Sequence, residues 1–206
     1  MSKTFYIIDD HQMLRLGTSS WLTSNSDWLC AGSAGTHEAA FSDFEKFAAR
    51  GELPSLVICD LNFYGENTGF DFIKELCTLY PSLKILVYSM SFAGGFVKNA
   101  ISAGAAGYIS KNANSKTLLE GMEKILKGDI FIQEELQPNL IKYNTFTDAL
   151  TKREKEVMGL LLRHLSNEQI SEQLGIKKRA VENYISSIYE KTGVNDRSEL
   201  EKRYGE

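Results

Sequence analysis

Proline, cysteine and long apolar runs are all scarce in this chain, and each scarcity excludes something. Three prolines, Pro54, Pro81 and Pro138, stand among 206 residues, and each falls where an apolar pattern begins, ends or breaks. The three cysteines, Cys30, Cys59 and Cys77, are odd in number, lie in apolar runs and form no CxxC pair. They are expected to be buried thiols in a reducing cytoplasm, neither disulfides nor metal ligands. No stretch reaches the eighteen or so apolar residues of a membrane span, and the N-terminal residues show no signal-peptide pattern. An excess of basic charge is absent too: the formal net charge is −4. Residues 148–206 hold eleven residues of each sign, so the −4 belongs wholly to the first 147. Any nucleic-acid binding must therefore rest on local clusters.

What is present is apolar residue in quantity, 43%, enough for an ordinary domain and a smaller second one. Thr4–Ile8 reads as a strand running into Asp9-Asp10, and Leu14, Gly17, Trp21 and Leu22 follow at helical spacing. Trp28–Ala31 is a second strand. Thr36 caps a helix that turns Ala40, Phe41, Phe44 and Phe47 inward and stops at Gly51. Leu56-Val57-Ile58-Cys59 is a short strand, apolar on both faces, that ends on Asp60. The spacing then predicts a helix over 68–80, a strand over 83–88 reaching Ser89, and a helix through Val97, Ile101 and Ala103. A strand over 107–109 leads to Lys111, and a helix over 115–126 closes at Gly128.

Five βα repeats with strands this apolar predict a doubly wound, five-stranded parallel sheet of flavodoxin-like order 2-1-3-4-5. That order brings the ends of the first, third, fourth and fifth strands to one crevice. They carry Asp9 and Asp10, Asp60, Ser89 and Lys111. Three carboxylates cannot all stay ionised side by side without a counter-ion. A hard divalent cation such as Mg²⁺ meets the need, Lys111 adds a point charge for a phosphoryl oxygen, and Ser89 adds a hydrogen-bond donor. The set suits phosphoryl transfer onto a carboxylate.

Residues 1–128 resemble a response-regulator receiver domain, and Asp9-Asp10-His11 with Arg15 and Gly17 is similar to the opening of the subfamily that carries a LuxR-type (NarL/FixJ-like) DNA-binding domain. The resemblance implies that Asp60 accepts a phosphoryl group from a sensor histidine kinase. It implies that Asp10, Asp60 and the carbonyl of Asn62 bind Mg²⁺, with Asp9 acting through water. It makes Ser89 the switch hydroxyl, Lys111 the phosphoryl-binding lysine and Tyr108 the rotating aromatic. The loop over 62–69 departs from the family in lacking proline, Met90 follows the switch hydroxyl where a small residue is common, and Asn112 follows Lys111.

Residues 129–147 read as a structured linker, with Glu134, Glu135, Leu136, Leu140 and Ile141 hinting at a short helix interrupted near Pro138. From 148 to 206 the pattern is helical only. Thr151 with Glu154, and Ser166 with Gln169, are capping boxes. Gly175 makes the turn between a short helix and a longer one over 177–191, a helix-turn-helix pattern. Leu150–Val157, Leu165–Ile176 and Val181–Ile185 resemble the LuxR-type helix-turn-helix almost position by position, which implies DNA binding as a dimer with the last of these helices in the major groove. With Val181, Ile185 and Ile188 inward, the outer face is Arg179, Glu182, Asn183, Ser186 and Ser187, flanked by Lys177, Lys178 and Lys191. Asn183 suits adenine, Glu182 suits cytosine, and the cations suit phosphates. Glu182 stands where the family more often has Lys or Arg, and Tyr184 where it has His.

The expectation is a cytoplasmic transcriptional regulator and not an enzyme, in which phosphorylation of Asp60 governs promoter binding through a homodimer. Two rivals remain: an output domain that binds another protein, and an independent phosphatase. The latter would need an acid/base Asp where Asn62 stands.

Overall fold

The computed structural model describes residues 3–61 and 69–204, apart from the side chains of residues 202 and 203. Six strands lie parallel in the order β2-β1-β3-β4-β5-β6. They are β1 (Thr4–Ile8), β2 (Leu29–Ala34), β3 (Leu56–Cys59), β4 (Lys84–Ser89), β5 (Gly107–Ser110) and β6 (Phe131–Ile132). The first five occur in the expected order. The sixth corrects the five-stranded expectation: Phe131 and Ile132 pair with Gly107 and Tyr108. Two residues are too short to show a period, and Phe131–Ile132 stood inside what the sequence suggested was linker.

The connecting helices are α1 (Gln12–Asn25), α2 (His37–Arg50), α3 (Gly69–Leu79), α4 (Gly94–Ala103) and α5 (Ser115–Leu126). Alternation along each strand sorts the core. Phe5 and Ile7 of β1 join Leu56, Ile58, Leu86 and Ile109 in a buried cluster with Leu22 and Trp28 on one side and Leu118, Met122 and Ile125 of α5 on the other. Tyr6, one residue along, faces α2. Its ring lies 5.0 Å from that of Phe44, and its hydroxyl donates to Asp43 at 2.7 Å. The Thr36 side chain accepts from Ala39 N–H at the start of α2, and Gly51 ends that helix in the left-handed region at φ 68°, as a C-cap glycine does. Of the three cysteines only Cys59 is fully buried, while Cys30 and Cys77 are partly accessible, and all three are free thiols.

The chain divides into two compact units, residues 1–91 with 98–133, and residues 92–97 with 134–206. The second contains a 3-10 turn (Glu134–Leu136) and α6 (Gln137–Ala149), α7 (Lys152–Leu162), α8 (Asn167–Leu174), α9 (Lys178–Thr192) and α10 (Arg197–Tyr204). Pro138 does not interrupt a helix. It sits in the first turn of α6, where the missing N–H costs nothing and the fixed φ favours the helix. Phe146 of α6 is buried with Leu150, Val157, Leu161, Ile170, Val181, Ile188 and Leu200. Within this unit Asn139 Nδ2 also donates to the Phe92 carbonyl at 3.0 Å. Both expected capping boxes are formed, Thr151 with Glu154 and Ser166 with Gln169. Gly175 takes φ 62° between α8 and α9.

Candidate functional site

In the first unit, backbone hydrogen bonds continue past the ends of the strands and so set the functional side chains. Asp60 N donates to Ile8 O at 2.8 Å, and Lys111 N to Ser89 O at 2.8 Å. The side chains beyond those bonds converge. Lys111 Nζ lies 2.6 Å from Asp60 Oδ2 and 2.7 Å from Asp9 Oδ2. The other oxygens are held by the backbone: Asp60 Oδ1 accepts from Leu61 N at 2.7 Å and Asp9 Oδ1 from His11 N at 2.8 Å. Burial pushes the Asp60 carboxyl above its ordinary value, with Asp9 adding to the effect and Lys111 opposing it. Burial also pulls on the Lys111 ammonium, but hydrogen bonds and charge from Asp60 and Asp9 outweigh it and keep the lysine protonated.

One ligand atom from each of Asp9, Asp10, His11 and Asp60 lies within 4.8 Å of the others. Three carboxylates against one ammonium leave two negative charges to be balanced. Asp10 Oδ1 is closed to solvent, and its near neighbour is His11 Nδ1 at 2.6 Å. Carboxylate oxygens gathered this closely are the donor set a hard divalent ion takes, so these residues fit one. Asn62, the remaining expected ligand, lies outside the described residues, as does the rest of the 62–68 loop.

Ser89 is fully buried, as is Tyr108, whose hydroxyl donates to Ser91 O at 3.1 Å. Burial raises that phenol to about 12. Met90, next to Ser89, is half exposed. Residues not anticipated from sequence also hold the region. Gln133, buried beside the end of β5, accepts from Ser110 N at 2.8 Å. Its role depends on β6, which the sequence pattern did not show.

In the second unit, Lys177, Lys178, Arg179, Glu182, Asn183 and Ser186 are exposed at the start and along one face of α9. Lys178 pairs with Glu168. The two residues nearer the C-terminal end of α9 are engaged elsewhere. Ser187 donates to Glu154 Oε1 at 2.6 Å, and Lys191 Nζ reaches both Glu154 oxygens at 2.7 and 2.8 Å. Glu154 is buried, and its second role is the capping box: Oε2 accepts from Thr151 N at 2.6 Å. Lys191 above all, and then Ser187, hold its carboxyl down at about 2. Arg197 of α10, also unanticipated, donates to the Leu165 and Leu161 carbonyls at 2.9 and 2.6 Å, satisfying the end of α7.

A receiver-like sheet with its acidic crevice, followed by a helix-turn-helix, defines a two-component regulator. Comparison with known proteins agrees in both parts. Residues 5–123 match the family model described as the response regulator receiver domain, and residues 148–202 match that of bacterial regulatory proteins of the luxR family. The transcriptional activator protein ExaE of Pseudomonas putida is 31% identical over 202 residues, covering 94% of this chain and 92% of that one. The transcriptional regulatory protein DegU of Brevibacillus brevis is 29% identical, covering 94% and 89%. RcsB of Salmonella enterica serovar Typhimurium, solved bound to a promoter in the presence of a phosphomimetic, superposes with a TM-score of 0.74 at 21% identity, each chain covered to 98%. That likeness speaks for the fold. The chain belongs to the response-regulator family whose receiver precedes a luxR-type DNA-binding domain. It is a transcription regulator, not an enzyme. Among the described residues no helix is long and apolar enough to cross a membrane.

Proposed function

We propose that Asp60 is the phosphoryl acceptor, that a sensor histidine kinase is the donor, and that the modification governs binding of α9 to promoter DNA by a homodimer in the cytoplasm. The observation that supports this best is the convergence of Asp60 and Asp9 on Lys111 at 2.6 and 2.7 Å. In the reaction an Asp60 carboxylate oxygen attacks phosphorus, the bond from phosphorus to the donor breaks with its electron pair leaving on the donor, and an acyl phosphate results. Lys111, already protonated, neutralises a phosphoryl oxygen without moving far. Asp9, Asp10, Asp60 and the Asn62 carbonyl would hold Mg²⁺, which supplies charge neutralisation for the incoming phosphoryl oxygens. Ser89 would take a hydrogen bond to the new group, and Tyr108, already turned inward, would be retained there.

On the DNA side, Asn183, Glu182 and Ser186 are the base-reading candidates on the exposed face of α9 and Lys177, Lys178 and Arg179 the phosphate-binding ones. Ser187 and Lys191 would reach DNA only by giving up Glu154. Incubation with acetyl phosphate and Mg²⁺, with the adduct mapped by mass spectrometry, tests the acceptor. A label on Asp60, lost in Asp60→Asn and Asp10→Ala, is expected; label retained in Asp60→Asn refutes it. Binding to random duplex DNA at increasing salt tests the output. Affinity that falls steeply with salt, with a slope reduced by about one on removing Lys177 or Arg179, is expected. A salt-independent interaction would favour an output domain that binds protein.

A further inference from the structure

We propose that Glu168 competes with DNA for Lys178 and thereby limits the sequence-independent affinity of the helix-turn-helix. The proposal rests on the reading of α9 as the DNA-facing helix, and it gives a part in binding to a residue of α8.

Glu168 lies in the first turn of α8, and Lys178 is the first residue of α9. The turn at Gly175 brings the two helix starts together, so that Lys178 Nζ donates to Glu168 Oε1 across 10 residues of chain. Each partner favours the charged form of the other. The bond from Lys178 holds the Glu168 carboxyl below its ordinary value. The bond to Glu168 raises the pKa of the Lys178 ammonium, and the charge of Glu182, one turn along α9, adds to the effect. The two side chains are 52% and 60% exposed, so the pair lies on the surface, open to a phosphate. The flanking cations are placed differently: among the described residues neither Lys177 nor Arg179 forms an ion pair.

Counter-ion exchange gives the pair its consequence. A lysine that meets a phosphate displaces a cation condensed on the DNA, and log affinity falls with log salt by about 0.9 for each phosphate neutralised. A Lys178 that stays with Glu168 displaces none. One that leaves it uncovers a carboxylate beside the phosphates, which draws a cation back. Either way its contact counts for less than those of Lys177 and Arg179. An exposed ion pair is weak, so the contact is reduced and not abolished. By the same slope, one full contact contributes about fivefold in affinity at about 0.15 M salt relative to about 1 M. Asn183 and Ser186, which face base edges, lose nothing by the arrangement.

The test is an anisotropy titration of random-sequence duplex DNA with the full chain at stepped salt. Wild type, Glu168→Gln, Lys178→Ala and the double variant are compared. Glu168→Gln is expected to bind up to about fivefold tighter at about 0.15 M salt, with a slope steeper by up to about one per bound chain. Lys178→Ala is expected to flatten the slope of Glu168→Gln by about one, and that of the wild type by clearly less. An unchanged slope in Glu168→Gln overturns the proposal, and so does an equal effect of Lys178→Ala in both backgrounds. Heat denaturation of the four proteins separates a role in folding alone. A Glu168 that only favours the positive end of α8 would lower the midpoint when replaced and leave the slope where it was. Salt-independent binding in all four proteins would instead overturn the DNA-binding reading of α9 itself.

Discussion

Asp60 is asked to be both buried and charged, and its neighbours show how the conflict is met. Its carboxyl is nearly closed to solvent, which favours the neutral acid, and the Lys111 ammonium at 2.6 Å pulls the other way without fully compensating. In the metal-free protein the carboxyl is therefore expected to titrate above its ordinary 3.8. Removing the opposing charge in Lys111→Met raises the midpoint further. The ¹³C shift of the Asp60 carboxyl followed against pH measures both, and a lower midpoint in Lys111→Met would contradict the account. The sign carries over to stability. A carboxyl whose folded pKa is raised contributes stability below its unfolded pKa and loses it as pH rises through the folded one. Asp60→Asn is accordingly expected to be at least as stable as the wild type at pH 7, though inert as acceptor. Urea denaturation of the two proteins checks that, and a clearly less stable Asp60→Asn would refute it.

Between residues and elements, Glu154 stands out because a single carboxylate serves two helices. It caps α7 through Thr151 and receives Ser187 and Lys191 from α9. Breaking a fully buried pair costs about 3–5 kcal/mol. Lys191 is a third exposed, so Glu154→Gln is expected to cost less, about 2 kcal/mol. The folded carboxyl at about 2 lies below its ordinary 4.5. Its contribution is thus complete above pH 4.5 and is lost as pH falls towards 2. Wild-type stability should drop across that window and the variant's should not, as denaturant melts at stepped pH would reveal. A parallel decline in both proteins would assign the acid sensitivity elsewhere. Glu154 was legible in sequence as a capping partner, since Thr151-x-x-Glu154 is a local pattern. Its bonds to α9 were not, because contacts between helices leave no mark in spacing. The same division runs through the fold. The apolar runs ending on Asp9, Asp60, Ser89 and Lys111 announced the strands and their convergence. The two-residue β6, α10 with its Arg197 anchors, and the place of Pro138 inside the first turn of α6 all depend on partners distant in sequence. Helical spacing puts Ser187 on the outer face of α9 and Lys191 at its flank, and it is silent about the bonds both make to Glu154.

At the scale of the whole chain, the open question is where the second folding unit begins. Helix-only patterning suggested residue 148, and the luxR-family match also starts there. The packing suggests an earlier start. Phe146 of α6 is 7% exposed within the helical core, its ring 4.3 Å from that of Tyr204 on α10 and 6.3 Å from that of Tyr143. A chain cut at 148 loses Phe146 and Tyr143 and leaves Tyr204 without its aromatic neighbours. Truncating a buried phenylalanine typically costs about 3–5 kcal/mol, against a total stability of about 5–15 kcal/mol for a whole domain. We therefore expect the fragment 134–206 to melt cooperatively on its own. The fragment 148–206 should be weaker by about 3 kcal/mol, with a transition at least several degrees lower. Far-ultraviolet circular dichroism during heating gives both midpoints. Phe146→Ala in the longer fragment distinguishes the lost side chain from the lost helix: a midpoint close to that of 148–206 assigns the difference to the aromatic contact. Equal midpoints for the two fragments would show that α6 belongs to the connection and not to the second domain.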